Sequence, residues 1–399
     1  MTNSRLLAMA GFIATAVAFG PARIGYGLFL PAFRDEFALS TEMAGSIASA
    51  AFLAFLASLL IAGSLLSRIG PATPIMVGGV CSLMGMGLVC LASNSLSLAS
   101  GVILAAASAG FAWTPYNFAV ENAVPANKTG RVLSTVTTGT TVGVALAGLL
   151  ALTVALYDFP WRVAWFLFAL SGGVMLLVNG YALFRTPTIA GHSVSAPHRD
   201  GSSVTVLFSR TSVPLVLAAL SFGITGAVYL SFAFDTVKAA GDLEGLPDLA
   251  IGPLMYAAFG VAGISGLAAA DIAAKIGVTR LLTIVFLCSS VSMILVGVAP
   301  GAMSAAILSA ALQGVCVMTF SATLSFWSMS LFPSLPSLSL TAALVAMALG
   351  NAVSPVAAGF MAGAIGQEAV FLFGGAISLG TAIVLPAVIN RELVQSSSL

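Results

Sequence analysis

One arginine lies inside an otherwise apolar stretch near the start of the chain. Residues 19–33 read FGPARIGYGLFLPAF, with Arg23 near the centre. Gly20 and Pro21 directly precede it and are expected to break the helix there. A central arginine costs about 2.5 to 3.5 kcal/mol on membrane-insertion scales, so its side chain is expected to face protein or a water-filled cavity. A planar guanidinium suits a carboxylate because it donates two parallel hydrogen bonds. Three interpretations stay open: a substrate clamp, a structural ion pair and a side chain that extends to the membrane surface.

Aromatic and amide side chains recur at helical spacing in other apolar stretches. Tyr26 follows Arg23 by three residues, and Trp113, Tyr116 and Asn117 share one helix face within FAWTPYNF. The second half of the chain adds Thr225, Tyr229, Gln313, Trp327 and Asn351. Helix packing alone explains individual aromatic residues in such places. Together with one cation, these side chains predict a binding site for a small organic anion, a carboxylate that can be aromatic.

Three carboxylates are candidates for proton coupling. Coupling requires a carboxylate whose pKa is raised by burial or by a neighbouring charge into the working range. The candidates are Glu121, Asp235 and Asp271. None lies at the centre of an apolar stretch, so uniport and anion exchange stay open beside proton coupling.

The sequence lacks the patterns of a soluble enzyme. It has no phosphate-binding loop, metal-ligand spacing or nucleophile set, and its two histidines, His192 and His198, lie in a polar segment near the middle. We expect no catalytic residues, no metal site, no cofactor and no nucleic-acid partner.

Membrane-spanning helices must position the candidate residues. The sequence is 59% hydrophobic and 7% charged, whereas about a quarter of the residues in a soluble protein are charged. Apolar stretches of about 20 residues recur, which is the length of a spanning helix. We predict an all-α membrane protein with twelve transmembrane helices. They are centred on Phe19, Leu53, Gly85, Gly110, Val144, Gly172, Gly223, Val261, Phe286, Gly314, Gly350 and Ala376.

A long polar segment divides the twelve predicted spans into two sets of six. We expect an N-terminal six-helix domain at residues 1–184, a cytoplasmic linker at 185–210 and a C-terminal six-helix domain at 211–399. With both termini in the cytoplasm, most of the basic residues face inward, as the positive-inside rule requires. These are Arg5, Arg68, Lys128, Arg131, Arg185, Arg199, Arg210, Lys275, Arg280 and Arg391.

Short motifs repeat about one half-chain apart. SRIG at 67–70 and AKIG at 274–277 each end the second span of a half, and ASAG at 107–110 corresponds to ALQG at 311–314. These matches indicate an internal duplication.

With these motifs, the chain resembles transporters of the major facilitator superfamily over nearly its whole length. In the family's loop motif between spans two and three, the acidic position is Ser67 here, and Ala274 in the second half, where Asp271 lies three residues earlier on the same helix face. The resemblance assigns Gly63, Arg68, Gly70, Asp271, Lys275 and Gly277 to gating loops. It also implies two pseudo-symmetric halves, a central cavity lined by spans one, four, seven and ten, alternating access, and a monomer surrounded by membrane lipid.

The opening ARIGYGLFLPAF at residues 22–33 further resembles bacterial YbfB/YjiJ-type transporters, which implies a bacterial inner membrane. The family's usual arginine in span four is replaced by Ala107, so Arg23 is expected to take the cationic role. Span five, GTTVGVALAG, lacks the proline of many proton-driven exporters, which favours uptake. We therefore predict proton-coupled import of a small organic anion. The alternatives are a proton-driven exporter of amphipathic compounds or drugs and a non-transporting sensor or scaffold.

Overall fold

The computed structural model describes residues 3–186, 212–241, 250–331 and 336–396. These residues form α-helices and one mid-span 3₁₀ segment, and no strand occurs among them. The helices are α1 (Asn3–Phe19), α2 (Pro21–Phe37), α3 (Thr41–Ile69), α4 (Ala72–Cys90), α5 (Ser95–Ala123), α6 (Ala126–Leu156), α7 (Trp161–Phe184), α8 (Val213–Ala239), α9 (Ile251–Gly263), α10 (Ala269–Ile276), α11 (Val278–Val298), α12 (Met303–Leu331), α13 (Pro336–Ile365) and α14 (Gln367–Ser396).

Twelve stretches are long and apolar enough to cross a membrane, and each contains one of the predicted centres. The predicted all-α fold with twelve spans is thereby confirmed. The first span, Ser4–Phe37, consists of α1 and α2, and the eighth, Ile251–Ile276, consists of α9, the 3₁₀ segment and α10.

The helices form two compact units. The first comprises residues 3–40, 50–186 and 250–260, and the second comprises residues 41–49, 212–241, 261–331 and 336–396. The predicted domain limits at 184 and 211 stay a prediction. In the structure, the start of α3 belongs to the second unit, and most of α9 belongs to the first. Residues 187–210 of the predicted linker, with His192 and His198, lie outside the described residues.

Glycines let helix backbones approach each other closely within each unit. In the first unit, a Cβ on Gly20 would overlap the backbone of Gly143, which brings α1 and α6 together. In the second unit, a Cβ on Gly350 of α13 would lie 2.6 Å from the carbonyl oxygen of Leu220 of α8. Small residues at such crossings are typical of membrane helices, whose association depends on close packing.

The first span is interrupted at Gly20, as Gly20 and Pro21 predict. Gly20 has ψ of −108°, far from the helical value, and α2 begins at Pro21. Because proline has no backbone N–H, the carbonyl of Val17 lacks its usual helical donor. The break immediately precedes Arg23.

The eighth span contains a second interruption, which the sequence analysis did not predict. Residues Ile264–Ala268 form the 3₁₀ segment. Gly266 packs closely on α12, where an added Cβ would lie 2.5 Å from the Met318 Cβ. A short 3₁₀ stretch within a helix often marks a hinge. The segment ends directly before α10, which carries Asp271 and Lys275.

Candidate functional site

Arg23 lies in the first turn of α2, in the first unit, and is surrounded by phenylalanine rings. Its guanidinium carbon is 4.3 Å from the ring centroid of Phe55, 5.4 Å from that of Phe19 and 5.5 Å from that of Phe52. The Arg23 Nε is buried and has no hydrogen-bond partner in the described part of the chain. No carboxylate of that part forms an ion pair with Arg23. Within the described residues, the charge therefore contacts aromatic faces but no anion.

The rings stabilise this cation in the span but do not neutralise it. A cation–π contact stabilises by about 0.5 to 1 kcal/mol at an exposed site and by about 2 kcal/mol when desolvated. Three such contacts are comparable with the cost of a central arginine, about 2.5 to 3.5 kcal/mol. An anion bound to the guanidinium would add the countercharge that the rings do not supply.

The aromatic contacts extend from Arg23 to Trp113 of α5. The ring centroids of Phe19 and Trp113 are 5.3 Å apart at an interplanar angle of 62°, and those of Phe19 and Phe55 are 6.2 Å apart. Phe52 and Phe55 are buried, whereas Phe19, Arg23 and Trp113 are partly exposed. We call these five residues the Arg23 cluster. Its accessible groups are one guanidinium and two aromatic rings.

The other residues predicted in spans one and four lie in different surroundings. Asn117 is partly exposed and follows Trp113 by one turn, whereas Tyr116 is fully buried and donates a hydrogen bond to the Asn179 Oδ1. Asn179 in turn donates to the carbonyl of Met175 at 2.7 Å. Tyr26 is buried, and its ring centroid is 6.0 Å from that of Phe33. Trp113 alone among the predicted aromatic residues joins the Arg23 cluster.

Tyr229 and Gln313 lie in the second unit among buried neutral polar groups. The Tyr229 hydroxyl is 3.0 Å from the Ser309 Oγ. The Gln313 Oε1 accepts a hydrogen bond from the Ser289 Oγ at 3.5 Å, while the Gln313 Nε2 has no partner in the described residues. The Ser289 Oγ is 3.3 Å from the Ser378 Oγ. We call these five residues, with Ser292, the polar seam.

The polar seam joins α11 to α12. Ser292 and Ser309 each donate a hydrogen bond to the other's carbonyl at 2.8 Å. Such exchanged hydrogen bonds hold the two helices in one register. The remaining predicted residues of the second unit are also buried: Thr225 donates to the Ser221 carbonyl at 3.2 Å, Trp327 packs in the apolar core and Asn351 lies in α13.

The candidate carboxylates differ in burial. Asp235 of α8 is buried and accepts a hydrogen bond from the Gln367 Nε2 at 2.7 Å. Asp271 is exposed in the first turn of α10, where a helix N-terminus favours negative charge. Glu121 belongs to α5, and its side chain lies outside the described residues.

The predicted gating loops share one conformational feature. Gly70 and Gly277, which end the repeated SRIG and AKIG motifs, both have positive φ, 70° and 86°. Glycine adopts this conformation without the steric cost that a Cβ adds. Arg68, Gly63, Asp271 and Lys275 are exposed near these turns. No group of three or more His, Cys, Asp or Glu residues that could hold a metal occurs in the described residues.

A family model described as Major Facilitator Superfamily matches residues 7–337. The chain belongs to this superfamily. No match is found among curated proteins. The predicted superfamily is thus confirmed, whereas the YbfB/YjiJ-type branch stays a prediction.

Solved transporters of this superfamily fold match the chain over nearly its whole length. A mutant of a peptide transporter POT has a TM-score of 0.79 at 14% identity, covering 97% of this chain and 94% of its own. A mutant of the nucleoside transporter NupG has a TM-score of 0.78 at 10% identity, covering 97% and 100%. A POT family transporter in complex with 5-aminolevulinic acid has a TM-score of 0.79 at 13% identity, covering 97% and 96%. At these identities, the likeness shows the fold alone.

Sequence reasoning missed several partners in this superfamily member. Phe52 and Phe55 of α3 read as ordinary apolar residues of span two, and nothing in their spacing indicates that they contact Arg23 of span one. Asn179 could be predicted from the sequence as a partner for a polar side chain, because it is an amide within the apolar stretch of span six. Ser292 and Ser309 carried a weaker signal, because hydroxyls in membrane helices commonly bond to their own backbone.

Proposed function

We propose that this superfamily transporter moves a small organic anion, with the anion's carboxylate bound by Arg23. The observation that supports the proposal is that the guanidinium of Arg23, within a membrane span, has no anionic partner among the described residues. Arginine within a span is costly and is a functional candidate by default. A carboxylate would supply the missing charge and accept two parallel hydrogen bonds from the guanidinium. The phenylalanine rings stabilise the cation between successive ligands without neutralising it.

The proposal includes uptake across a bacterial inner membrane, by a monomer with both termini in the cytoplasm. Inward movement is driven by protons, with Asp235, Asp271 and Glu121 as candidate carriers. Asp235 is the first of the three to test, because it is buried within a span, whereas Asp271 is exposed. A protein of the same fold was solved with 5-aminolevulinic acid, itself a carboxylic acid, which is consistent with this ligand class.

The test begins with thermal unfolding of the purified protein against organic anions, cations and neutral amphiphiles. A ligand at about 100 times its Kd stabilises a protein by roughly 2.7 kcal/mol. We expect carboxylates to stabilise wild type but not Arg23→Gln. Uptake of the best acid into proteoliposomes should fall at least about tenfold in Arg23→Lys, because lysine keeps the charge but loses the planar fork.

Arg280→Lys is the matched control, because Arg280 is exposed at the start of α11. It should transport as wild type does. Near-normal uptake by Arg23→Lys would contradict the clamp. Equal stabilisation of wild type and Arg23→Gln by cations or neutral amphiphiles would contradict the proposal and favour the exporter of amphipathic compounds.

A further inference from the structure

We propose that the Arg23 cluster selects aromatic carboxylates, with Phe19 and Trp113 as the residues that contact the ligand's ring. The inference rests on the proposed function, in which Arg23 binds the carboxylate. It adds a second recognition element and names the two side chains that determine specificity.

The first step is that Arg23 can contact a ring and a carboxylate at the same time. A guanidinium is planar, with its five N–H donors in the plane and its cation–π contacts through the faces. The 4.3 Å contact with Phe55 is a cation–π contact, which forms no hydrogen bond to an oxygen and so does not replace a carboxylate. Because the Arg23 Nε is buried while the residue is partly exposed, an entering carboxylate would meet the terminal N–H groups. The aromatic surroundings orient the guanidinium without consuming the hydrogen bonds that an anion needs.

The second step is that the accessible surface next to this guanidinium is aromatic. Phe19 lies 5.4 Å from the guanidinium carbon, and Trp113 lies 5.3 Å from Phe19 between ring centroids. Both side chains are partly exposed, unlike Phe52 and Phe55, which are buried. An anion bound to Arg23 thus has its remaining atoms beside two rings. Phe19 also contacts the guanidinium, but neither ring can bind the charge of an anion, so their placement points to the apolar part of the ligand.

The third step separates an aromatic ligand from an aliphatic one. Edge-to-face or offset aromatic pairs contribute about 0.5 to 1.5 kcal/mol beyond the burial of apolar area, which is about 2- to 12-fold in affinity per pair. Phe19 and Trp113 already pair at 62°. A third ring, from the ligand, can extend this arrangement. A saturated ring of similar size gains only the free energy of burying its apolar area. The cluster should therefore prefer an aryl acid over its saturated analogue.

The experiment compares phenylacetate with cyclohexylacetate, which differ in aromaticity but share the carboxylate and the spacer. Calorimetry gives the Kd of each acid for wild type, Phe19→Leu and Trp113→Leu, with Trp113→Phe as a variant that keeps a ring. Phe166→Leu is the matched control, because Phe166 is an exposed aromatic residue of α7 in the same unit. We expect wild type, Trp113→Phe and Phe166→Leu to prefer phenylacetate by roughly tenfold. Phe19→Leu and Trp113→Leu should reduce that ratio to about two or less.

The possible failures distinguish this inference from the proposed function. Equal Kd values for the two acids in wild type, with both lost in Arg23→Gln, would overturn the aromatic selection and leave the anion site intact. A tenfold preference that survives both leucine variants would overturn the assignment to Phe19 and Trp113. Binding of both acids that is unchanged in Arg23→Gln would overturn the proposed function itself.

Discussion

The two units of this transporter differ in the surroundings of the ionisable group in their first span. In the first unit, Arg23 is a cation that contacts three phenylalanine rings and no carboxylate among the described residues. In the second unit, Asp235 is a buried carboxylate that accepts a 2.7 Å hydrogen bond from Gln367. Each residue lies in the first span of its half of the sequence. Asp235 has a hydrogen-bond donor, whereas Arg23 has no anionic partner in the described part of the chain.

This difference indicates what each residue contributes. A charge within a membrane span is costly where no anionic partner offsets it. Such a residue is favourable only when something else supplies the countercharge. A hydrogen-bonded carboxylate is already stabilised, so its expected contribution is to stability or to proton binding. Arg23 should therefore affect ligand binding most, and Asp235 should affect coupling most.

The comparison would be broken most directly by Arg23→Met. Methionine fills much of the same volume among the rings but has no charge. We expect loss of carboxylate affinity by at least about 30-fold, since removing one partner of a buried charge pair costs about 2 to 5 kcal/mol. We also expect the ligand-free variant to unfold at the same or a higher temperature than wild type, because the charge is no longer desolvated. Thermal unfolding with and without ligand measures both effects.

A lower unfolding temperature of ligand-free Arg23→Met would show that the arginine is structural. Arg280→Met provides the control, since Arg280 is exposed and should change neither affinity nor unfolding temperature.

Asp235→Asn tests the opposite side of the comparison. A gradient of one pH unit can drive at most about tenfold accumulation per proton. We expect this accumulation to disappear in Asp235→Asn, because the amide cannot bind and release a proton, while exchange of labelled for unlabelled substrate continues. Proteoliposomes with imposed pH gradients measure both processes. The asparagine oxygen can still accept from Gln367, which keeps the packing contact.

The control for Asp235→Asn is Glu368→Gln, an exposed acid directly after Gln367. It should keep pH-driven accumulation. Retained accumulation in Asp235→Asn would transfer the coupling role to Glu121 or Asp271.

Tyr116→Phe tests whether Tyr116 belongs to the substrate site in the first unit. The change leaves the Asn179 Oδ1 without its donor, and an unsatisfied buried polar group costs about 1 to 3 kcal/mol. We expect lower thermal stability with unchanged carboxylate affinity. Tyr181→Phe is the control, because Tyr181 is an exposed tyrosine of α7. A loss of affinity without a loss of stability would instead return Tyr116 to the substrate site.

The sequence predicted the spans and the helix break well, because these depend on local composition. Twelve apolar stretches and the Gly20–Pro21 interruption follow from residue type alone. The repeated SRIG and AKIG motifs end in Gly70 and Gly277, and both glycines have positive φ.

The partners of the polar residues were harder to predict, because they depend on which helices are neighbours. Trp113, Tyr116 and Asn117 were grouped by their spacing along one helix, yet Tyr116 turns to Asn179 of α7 and Trp113 contacts Phe19 of α1. The period of a helix places residues on a face but does not identify the opposing helix. The 3₁₀ segment of span eight was missed for a similar reason, since its close packing depends on Gly266 meeting Met318 of α12.

The smallest effect is expected for Asp271→Asn, at the start of α10. A carboxylate at a helix N-terminus contributes about 0.3 to 1 kcal/mol, so its removal should slow the transport cycle by about two- to fivefold and leave the substrate Kd unchanged. Asp271 follows the 3₁₀ segment Ile264–Ala268 and is exposed, which favours a role in the movement of α10 over contact with substrate. Maximal exchange rate and Kd, measured on the same preparation, separate the two roles. The control is Asp158→Asn, because Asp158 is also an exposed acid. It should change neither value. If Asp271→Asn weakened binding instead and left the maximal rate intact, the second unit would also contain a charged ligand contact, and its difference from the first would disappear.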